Sequence, residues 1–230
     1  MKSNILKSIA IELGSNKFEH LNYDKHYERH FNEIRMKKMN ILEIGVQKGL
    51  SLLIWKKYFE NSDIYGIEIN PEKINSNVKD NFEIFIGDQS DTRFLKKVCK
   101  RTTEYFDVII DDGSHLVYDQ VISFKYLFNK IKPGGTYVIE DLHTSYSKYF
   151  VKTKSHEWKK NIKLKKMGII RFINYLSDNI NYYEAVKNNS IKPSIRRMKL
   201  CLSFYSNQIQ SIDIAPGLAF ISKREDINDK

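Results

Sequence analysis

The sequence predicts a doubly wound α/β fold: a seven-stranded sheet, mostly parallel, with a C-terminal antiparallel hairpin and helices on both faces. Three observations predict it. Between residues 39 and 141 five short apolar runs alternate with helical stretches, the pattern of repeated βαβ units and hence of a parallel sheet. The polar residues that interrupt those runs fall at their C-terminal ends, the rim where right-handed crossovers gather ligands in such sheets. Two further apolar runs lie near the end of the chain, with Pro216-Gly217 in the loop between them.

Residues 1–38 read as polar helix, with Tyr23, Tyr27 and Phe31 spaced four apart as one apolar stripe. Core packing explains such a stripe; a lid over a ligand is the sharper alternative. His20, His26 and His30 read as a solvated face, because no carboxylate or cysteine pattern completes a zinc tetrahedron. The first strand is residues 40–44, followed by a glycine turn and a helix over 50–59 that includes Trp55, a core residue. Residues 64–69 form the second strand and 82–86 the third, with a helical stretch to residue 79 between them. A helix over 91–100 leads to strand four at 106–110, and a helix over 117–131 is stopped by Lys132-Pro133-Gly134-Gly135. Residues 136–139 are the fifth strand, and the hairpin strands are placed at 198–205 and 218–222.

At 230 residues this is one domain. It divides into an N-terminal helical lid (1–38), a cofactor-binding core (39–141), an inserted basic helical segment (151–197) and a hairpin with tail (198–230). No apolar run approaches the roughly 18 residues of a spanning helix, and no signal-peptide pattern opens the chain. Two distant cysteines, Cys99 and Cys201, suggest neither a disulfide framework nor a thiolate metal site. A cytoplasmic protein is the expectation. The formal net charge of +10 is concentrated at Lys152, Lys154, Lys159, Lys160, Lys163, Lys165, Lys166, Arg196, Arg197 and Lys199. A solvated helical face explains this stretch; an anionic acceptor is the functional alternative, and nucleic acid ranks third.

The turn after strand one reads Leu42-Glu43-Ile44-Gly45-Val46-Gln47-Lys48-Gly49. Glycines there let a backbone approach a ligand and present amides at a helix N-terminus. It is neither a P-loop, since no Gly-Lys-Ser/Thr follows, nor a dinucleotide fingerprint. Glu68 ends strand two, where a carboxylate accepts ribose hydroxyls. Glu43 favours a cationic or amino-bearing ligand over a pyrophosphate, and Asp88 and Gln89 end strand three, within reach of an adenine amino edge. Strand four ends in Asp111-Asp112-Gly113-Ser114-His115 and strand five in Glu140-Asp141-Leu142-His143. Those ends are close in a parallel sheet, so Asp112, Glu140 and Asp141 converge, and crowded carboxylates need a cation. All-oxygen ligands favour Mg²⁺, with Ca²⁺ or Mn²⁺ as alternatives. His115 is placed to take a proton from a hydroxyl, and His143 to line the substrate cleft.

Glu43, Gly45, Gly49, Glu68 and Asp88, in that order, resemble the class I S-adenosylmethionine-dependent methyltransferases, whose sheet is Rossmann-like. The Asp-Asp-Gly-Ser-His run together with Gly134-Gly135-Thr136-Tyr137-Val138-Ile139-Glu140-Asp141 resembles a narrower family. These are the metal-dependent sugar O-methyltransferases of macrolide biosynthesis, of mycinamicin and tylosin type, and the related cephalosporin-hydroxylase-like proteins. The resemblance implies S-adenosylmethionine and Mg²⁺ as cofactors, Asp112, Glu140 and Asp141 as metal ligands, His115 as general base, and Asp111 facing the cofactor. It implies a hydroxyl acceptor on a sugar or glycan: a surface or capsular polysaccharide precursor, its phosphate-type decoration, or a secondary-metabolite sugar. The chain is shorter than the macrolide enzymes, so their tetrameric assembly is not carried over and a homo-oligomer is left open. Two other readings share parts of the pattern. An NAD-linked oxidoreductase would have the same sheet but lacks its glycine fingerprint. An RNA-binding methyltransferase would suit the charge, but Asp111-Asp112-Gly113-Ser114 replaces the Asn/Asp-Pro-Pro-aromatic run of base N-methyltransferases.

Overall fold

The computed structural model describes residues 4–19, 21–147, 149–150, 168–188, 190, 205 and 207–225. Its sheet has seven strands in the order β3-β2-β1-β4-β5-β7-β6. These are β1 (Asn40–Ile44), β2 (Asp63–Glu68), β3 (Glu83–Ile86), β4 (Phe106–Asp111), β5 (Ile131–Ile139), β6 (Ile209–Ala215) and β7 (Leu218–Lys223). Strands β1 to β5 are parallel, β7 is antiparallel to β5, and β6 is antiparallel to β7. The order reverses direction at β1/β4, the switch point where such sheets open a crevice for ligands.

Because helices cover both faces, the central strands are apolar on both sides. On one face Leu42, Ile44, Ile109 and Tyr137 pack against α5 (Thr92–Arg101), α6 (Val117–Leu127) and α7 (Ile169–Lys187). On the other, Ile41, Ile110, Val138 and Phe220 meet α1 (Ile5–Glu12), α2 (Tyr23–Phe31) and α3 (Leu50–Tyr58). A short α4 (Ser76–Lys79) lies between β2 and β3. The Tyr23, Tyr27, Phe31 stripe is buried, with Tyr27 4.9 Å from Trp55 and 5.5 Å from Phe220 between ring centroids. Among the described residues no helix is long and apolar enough to cross a membrane.

Two strand boundaries differ from the sequence reading. β5 starts at Ile131, ahead of Lys132-Pro133-Gly134-Gly135, and a 3-10 turn at Phe128–Lys130 separates it from α6. The pairing jumps from Phe106↔Ile131 to Val108↔Thr136, so the proline-glycine run is a bulge within the strand and not a helix stop. The first hairpin strand is Ile209–Ala215, later than the expected 198–205, of which residues 198–204 lie outside the described residues. β6 is the sheet edge; Gln210, Ser211 and Asp213 make it polar, and a register shift between Ile209 and Ser211 breaks its alternation. The expected basic segment falls mostly at 151–167 and 191–199, likewise outside the described residues; α7 lies between those stretches.

His30 is not on a free solvated face. Its ring stacks on Phe220 at 3.8 Å, and its Nε2 lies 2.8 Å from Asp213 Oδ2, where Arg29 also binds. Burial lowers its pKa from the ordinary histidine value, with Asp213 opposing.

Candidate functional site

Strand parity decides which acidic residues meet. Side chains alternate across a strand, so Glu43 shares the Ile41 face of β1, and Asp112 and Glu140 continue the Ile110 and Val138 faces of β4 and β5. Asp111 falls on the opposite face. The pairings Ile44↔Asp111 and Asp111↔Ile139 bring the three strand ends level.

Asp111 is fully buried beneath α6. Its carboxylate accepts from Gln89 Nε2 (3.0 Å), Ser123 Oγ (2.7 Å) and Tyr137 Oη (2.9 Å). Burial pushes its pKa up, and the hydrogen bonds pull it partly back. Gln89 Oε1 in turn accepts from Ser114 N at 2.8 Å. Asp111 is thus not on the cavity wall; it acts through Gln89 on the backbone of the 112–115 loop. Gly113 leaves room for this amide, since a Cβ would stand 2.0 Å from Gln89 Oε1 and push Gln89 off its place.

A cavity of about 450 Å³ opens at the β1/β4 switch point, within the roughly 300–1,000 Å³ typical of ligand pockets. Gly45, Glu68, Asp88, Gln89, Asp112 and Ser114 are on its wall. Gly45 has φ +90°, and a Cβ would meet the Asp112 carbonyl oxygen at 2.1 Å, so the loop and the β4 end are locked together. Glu68 accepts from the amides of Gln47 (2.7 Å) and Asn70 (2.9 Å), which fixes its carboxylate facing the cavity with lone pairs to spare. Asp88 forms an Asx turn onto Ser90 N and Oγ (2.7 and 2.8 Å) and is exposed.

Two more expected cofactor residues, besides Asp111, lie off this wall. Gly49, φ +87°, caps α3, and its Cβ position is crowded by Val78. Glu43 is fully buried on the far side of β1. It accepts from Ser51 Oγ (2.6 Å) and Trp55 Nε1 (2.9 Å), with Lys17 Nζ at 3.4 Å, as a carboxylate in a strand covered on both sides must. Burial raises its pKa against the pull of Lys17.

Beside the cavity, ligand atoms of Asp112, His115 and Asp141 lie within 4.8 Å of one another. His115 Nε2 is 3.4 Å from Asp141 Oδ2 and 3.9 Å from Asp112 Oδ1. Its buried Nδ1 has no hydrogen-bond partner, and its ring meets Phe150 edge-on at 6.0 Å. His115 and Asp141 both have left-handed backbones, φ +55° and +56°, a strain of about 1–3 kcal/mol each that clusters at functional sites. Opposite corners of a Mg²⁺ octahedron are about 4 Å apart, so the Asp112 and Asp141 oxygens, within 4.8 Å of one another, fit a divalent ion after small movements, with His115 beside them.

Glu140 is placed differently from the expected ligand set. It is buried and accepts from Tyr27 Oη at 2.6 Å, with Lys17 Nζ at 3.2 Å. Burial and the neighbouring Asp112 push its pKa up to about 8, against Lys17. Tyr23 Oη donates to Asp141 Oδ1 at 2.9 Å and lies 3.1 Å from the Gly217 carbonyl. His143 is exposed on the 3-10 turn Leu142–Tyr146, off the cavity wall. The sequence reading missed Lys17 altogether and took the tyrosines as core packing or a lid over a ligand, not as partners of the carboxylates. The one available signal was indirect: strand ends whose parity aims three carboxylates at one point demand a cation opposite.

No protein-family model matches the chain. It is 38% identical over 131 residues to the mycinamicin VI 2''-O-methyltransferase of Micromonospora griseorubida, covering 54% of this chain and 32% of that protein. Its relatives are sugar O-methyltransferases. A second, the 8-demethyl-8-alpha-L-rhamnosyl tetracenomycin-C 2'-O-methyltransferase of Streptomyces olivaceus, is 29% identical over 228 residues, 95% of this chain and 54% of that one. In structure the chain is similar to the mycinamycin-pathway methyltransferase MycE in complex with Mg and SAH. The TM-score is 0.79 at 29% identity, over 99% of this chain and 56% of the other. The chain therefore spans only a third to just over half of the length of these O-methyltransferases. The resemblance read from the two acidic motifs and the expected Rossmann-like sheet agree with these relatives.

Proposed function

We propose that this chain is an S-adenosylmethionine-dependent, divalent-metal-dependent O-methyltransferase whose acceptor is a sugar hydroxyl. The observation that carries the reading is the meeting of Asp112, His115 and Asp141 at the edge of a cavity walled by Gly45 and Glu68. The relatives' names support the acceptor class: they describe methylation of rhamnosyl and olivosyl groups and of mycinamicin. When bound, S-adenosylmethionine supplies a sulfonium methyl and the divalent ion acidifies and orients the acceptor oxygen.

The chain's own residues do the rest. Glu68 holds ribose hydroxyls, and the Gly45 turn lets the backbone lie against the cofactor. Gln89, with its amide tied to Asp111 and Ser123, shapes the adenine end beside Asp88. Asp112 and Asp141 would hold the ion, and Glu140, held by Tyr27 and Lys17 outside their cluster, would have to turn toward it to join them. His115 Nε2, which points into the carboxylates, takes the acceptor proton, and the carboxylates stabilise the imidazolium that results. Much of the rate comes from holding hydroxyl and methyl in line.

The test is transfer of a ¹³C-methyl group to a panel of sugars, with and without chelator. The panel holds secondary-metabolite glycosides, nucleotide sugars and phosphate-decorated glycan fragments. Gain of a labelled methyl on a sugar oxygen, abolished by EDTA and restored by Mg²⁺, is the expected result. Full turnover in EDTA would remove the metal from the scheme, and labelling of RNA with the panel unlabelled would remove the sugar.

A further inference from the structure

The N-terminal segment carries a buried ammonium into the acidic rim. Lys17 lies between α1 and α2, its side chain 11% exposed, next to buried Phe18, which packs edge-on against Trp55 at 6.0 Å. Its Nζ is 2.6 Å from Asp112 Oδ2, 3.2 Å from Glu140 Oε1 and 3.4 Å from Glu43 Oε1. Carboxylates from β1, β4 and β5 thus share one cation. Lysine fits this position because its head is a compact charge with three donors, and three acceptors surround it.

The oxygens it holds are the informative detail. Lys17 takes Oδ2 of Asp112, leaving Oδ1 toward His115 Nε2. Tyr23 takes Oδ1 of Asp141, leaving Oδ2 toward the same nitrogen. Glu140 Oε1 is held by Lys17 and Tyr27 together. Each carboxylate assigned to the metal is gripped from the N-terminal segment by one oxygen, and in Asp112 and Asp141 the other faces the cluster. Outer partners of this kind set ligand orientation in metal sites. Without the ammonium, the three carboxyl groups around one buried point would lose the donor they share.

We propose that Lys17 is a positioning residue for the divalent ion: it grips Asp112 and Glu140 from behind and does not compete with the metal for them. This rests on the metal-dependent reading above. The experiment measures Mn²⁺ affinity by electron paramagnetic resonance for the full chain and for Lys17→Met and Lys17→Arg, with S-adenosylhomocysteine affinity as the check on folding. Lys17→Met is expected to weaken Mn²⁺ binding about ten- to a hundred-fold, the usual range for losing an outer partner. Lys17→Arg is expected to recover part of it, with S-adenosylhomocysteine affinity within about twofold in both; this split is not what a general loss of folding produces. Unchanged or tighter Mn²⁺ binding in Lys17→Met would overturn the proposal.

A second measurement needs no variant. If Lys17 stays in place, saturating the wild type with Mn²⁺ keeps or increases hydrogen-exchange protection over residues 5–31, because coupling between metal and segment is reciprocal. If the ion displaces Lys17, protection falls and the proposal fails. A wild type that binds no Mn²⁺ overturns the metal reading and this inference together, whereas wild-type binding matched by Lys17→Met overturns the role of Lys17 alone.

Discussion

The acidic rim has two halves, and they solve the problem of negative charge differently. On the β2–β3 side, Glu68 and Asp88 spend their oxygens on backbone amides and a serine hydroxyl. On the β4–β5 side and at Glu43, carboxylates are crowded and draw on Lys17, two tyrosines and a tryptophan. Amide partners orient a carboxylate without neutralising it, which suits hydrogen bonds to a neutral ribose. Crowding calls for positive charge, and the one ammonium is shared by Glu43, Asp112 and Glu140, with Asp141 not among its partners. Under the proposed function the first half takes the nucleoside and the second the metal ion.

That division is breakable, most sharply at His115. His115→Ala is expected to lower kcat by about 10²–10⁴ while both S-adenosylhomocysteine and Mn²⁺ still bind, as measured by calorimetry. Next comes a double dissociation. Glu68→Gln should weaken the nucleoside about ten- to a hundred-fold, the worth of charge-assisted hydrogen bonds, with Mn²⁺ affinity unchanged; Asp141→Asn should do the reverse. If either variant weakens both ligands equally, the two halves are one site and the comparison collapses.

Asp111→Asn tests the support under the division. Three donors point at Asp111, and an amide must turn one N–H toward them, at a cost of about 1–3 kcal/mol readable in urea denaturation. The pH response follows from Glu140. Its pKa is raised from the ordinary value near 4.5 to about 8, chiefly by burial, so between those values the native state holds a proton that the unfolded chain has lost. Stability of chelator-treated protein is therefore expected to fall as pH rises from 5 to 8 and to level off above 8. Added Mg²⁺ should flatten that slope, because it binds the charged form; a Tm that rises over this range contradicts the assignment. Smallest is Tyr27→Phe, about 1 kcal/mol for one hydroxyl, with the aromatic packing intact.

Much of this was legible in the sequence because strand ends in a parallel sheet are announced by their own apolar runs. Glu68 at the end of β2, the Gly45 turn, and the two acidic motifs after β4 and β5 needed only the alternation of strands and helices to reach one rim. What stayed hidden needed parity and tertiary packing. Asp111 and Asp112 are adjacent in sequence yet belong to opposite faces, and Glu43 faces Trp55 and not the cavity. Lys17 sits in a turn with no periodicity around it, so its partners were invisible until α1 and α2 docked on α3. β6 was misplaced for a related reason: an edge strand needs few apolar residues, and Gln210, Ser211 and Asp213 gave little to read.

The turn between β6 and β7 has a bearing on how the protein is made. The Gly217 carbonyl receives the Leu142 amide (3.0 Å) and the Tyr23 hydroxyl, so residues from both ends of the chain close on Asp141. A nascent chain emerges at about 5–20 residues per second, and the five parallel strands are complete long before that turn leaves the ribosome. Until it does, Asp141 has neither its clasp nor the settled tyrosine beside it. Translation stopped short of Gly217 would thus leave Asp141 without the carbonyl that ties Leu142 and Tyr23 beside it, so this hairpin completes the β5 end of the rim.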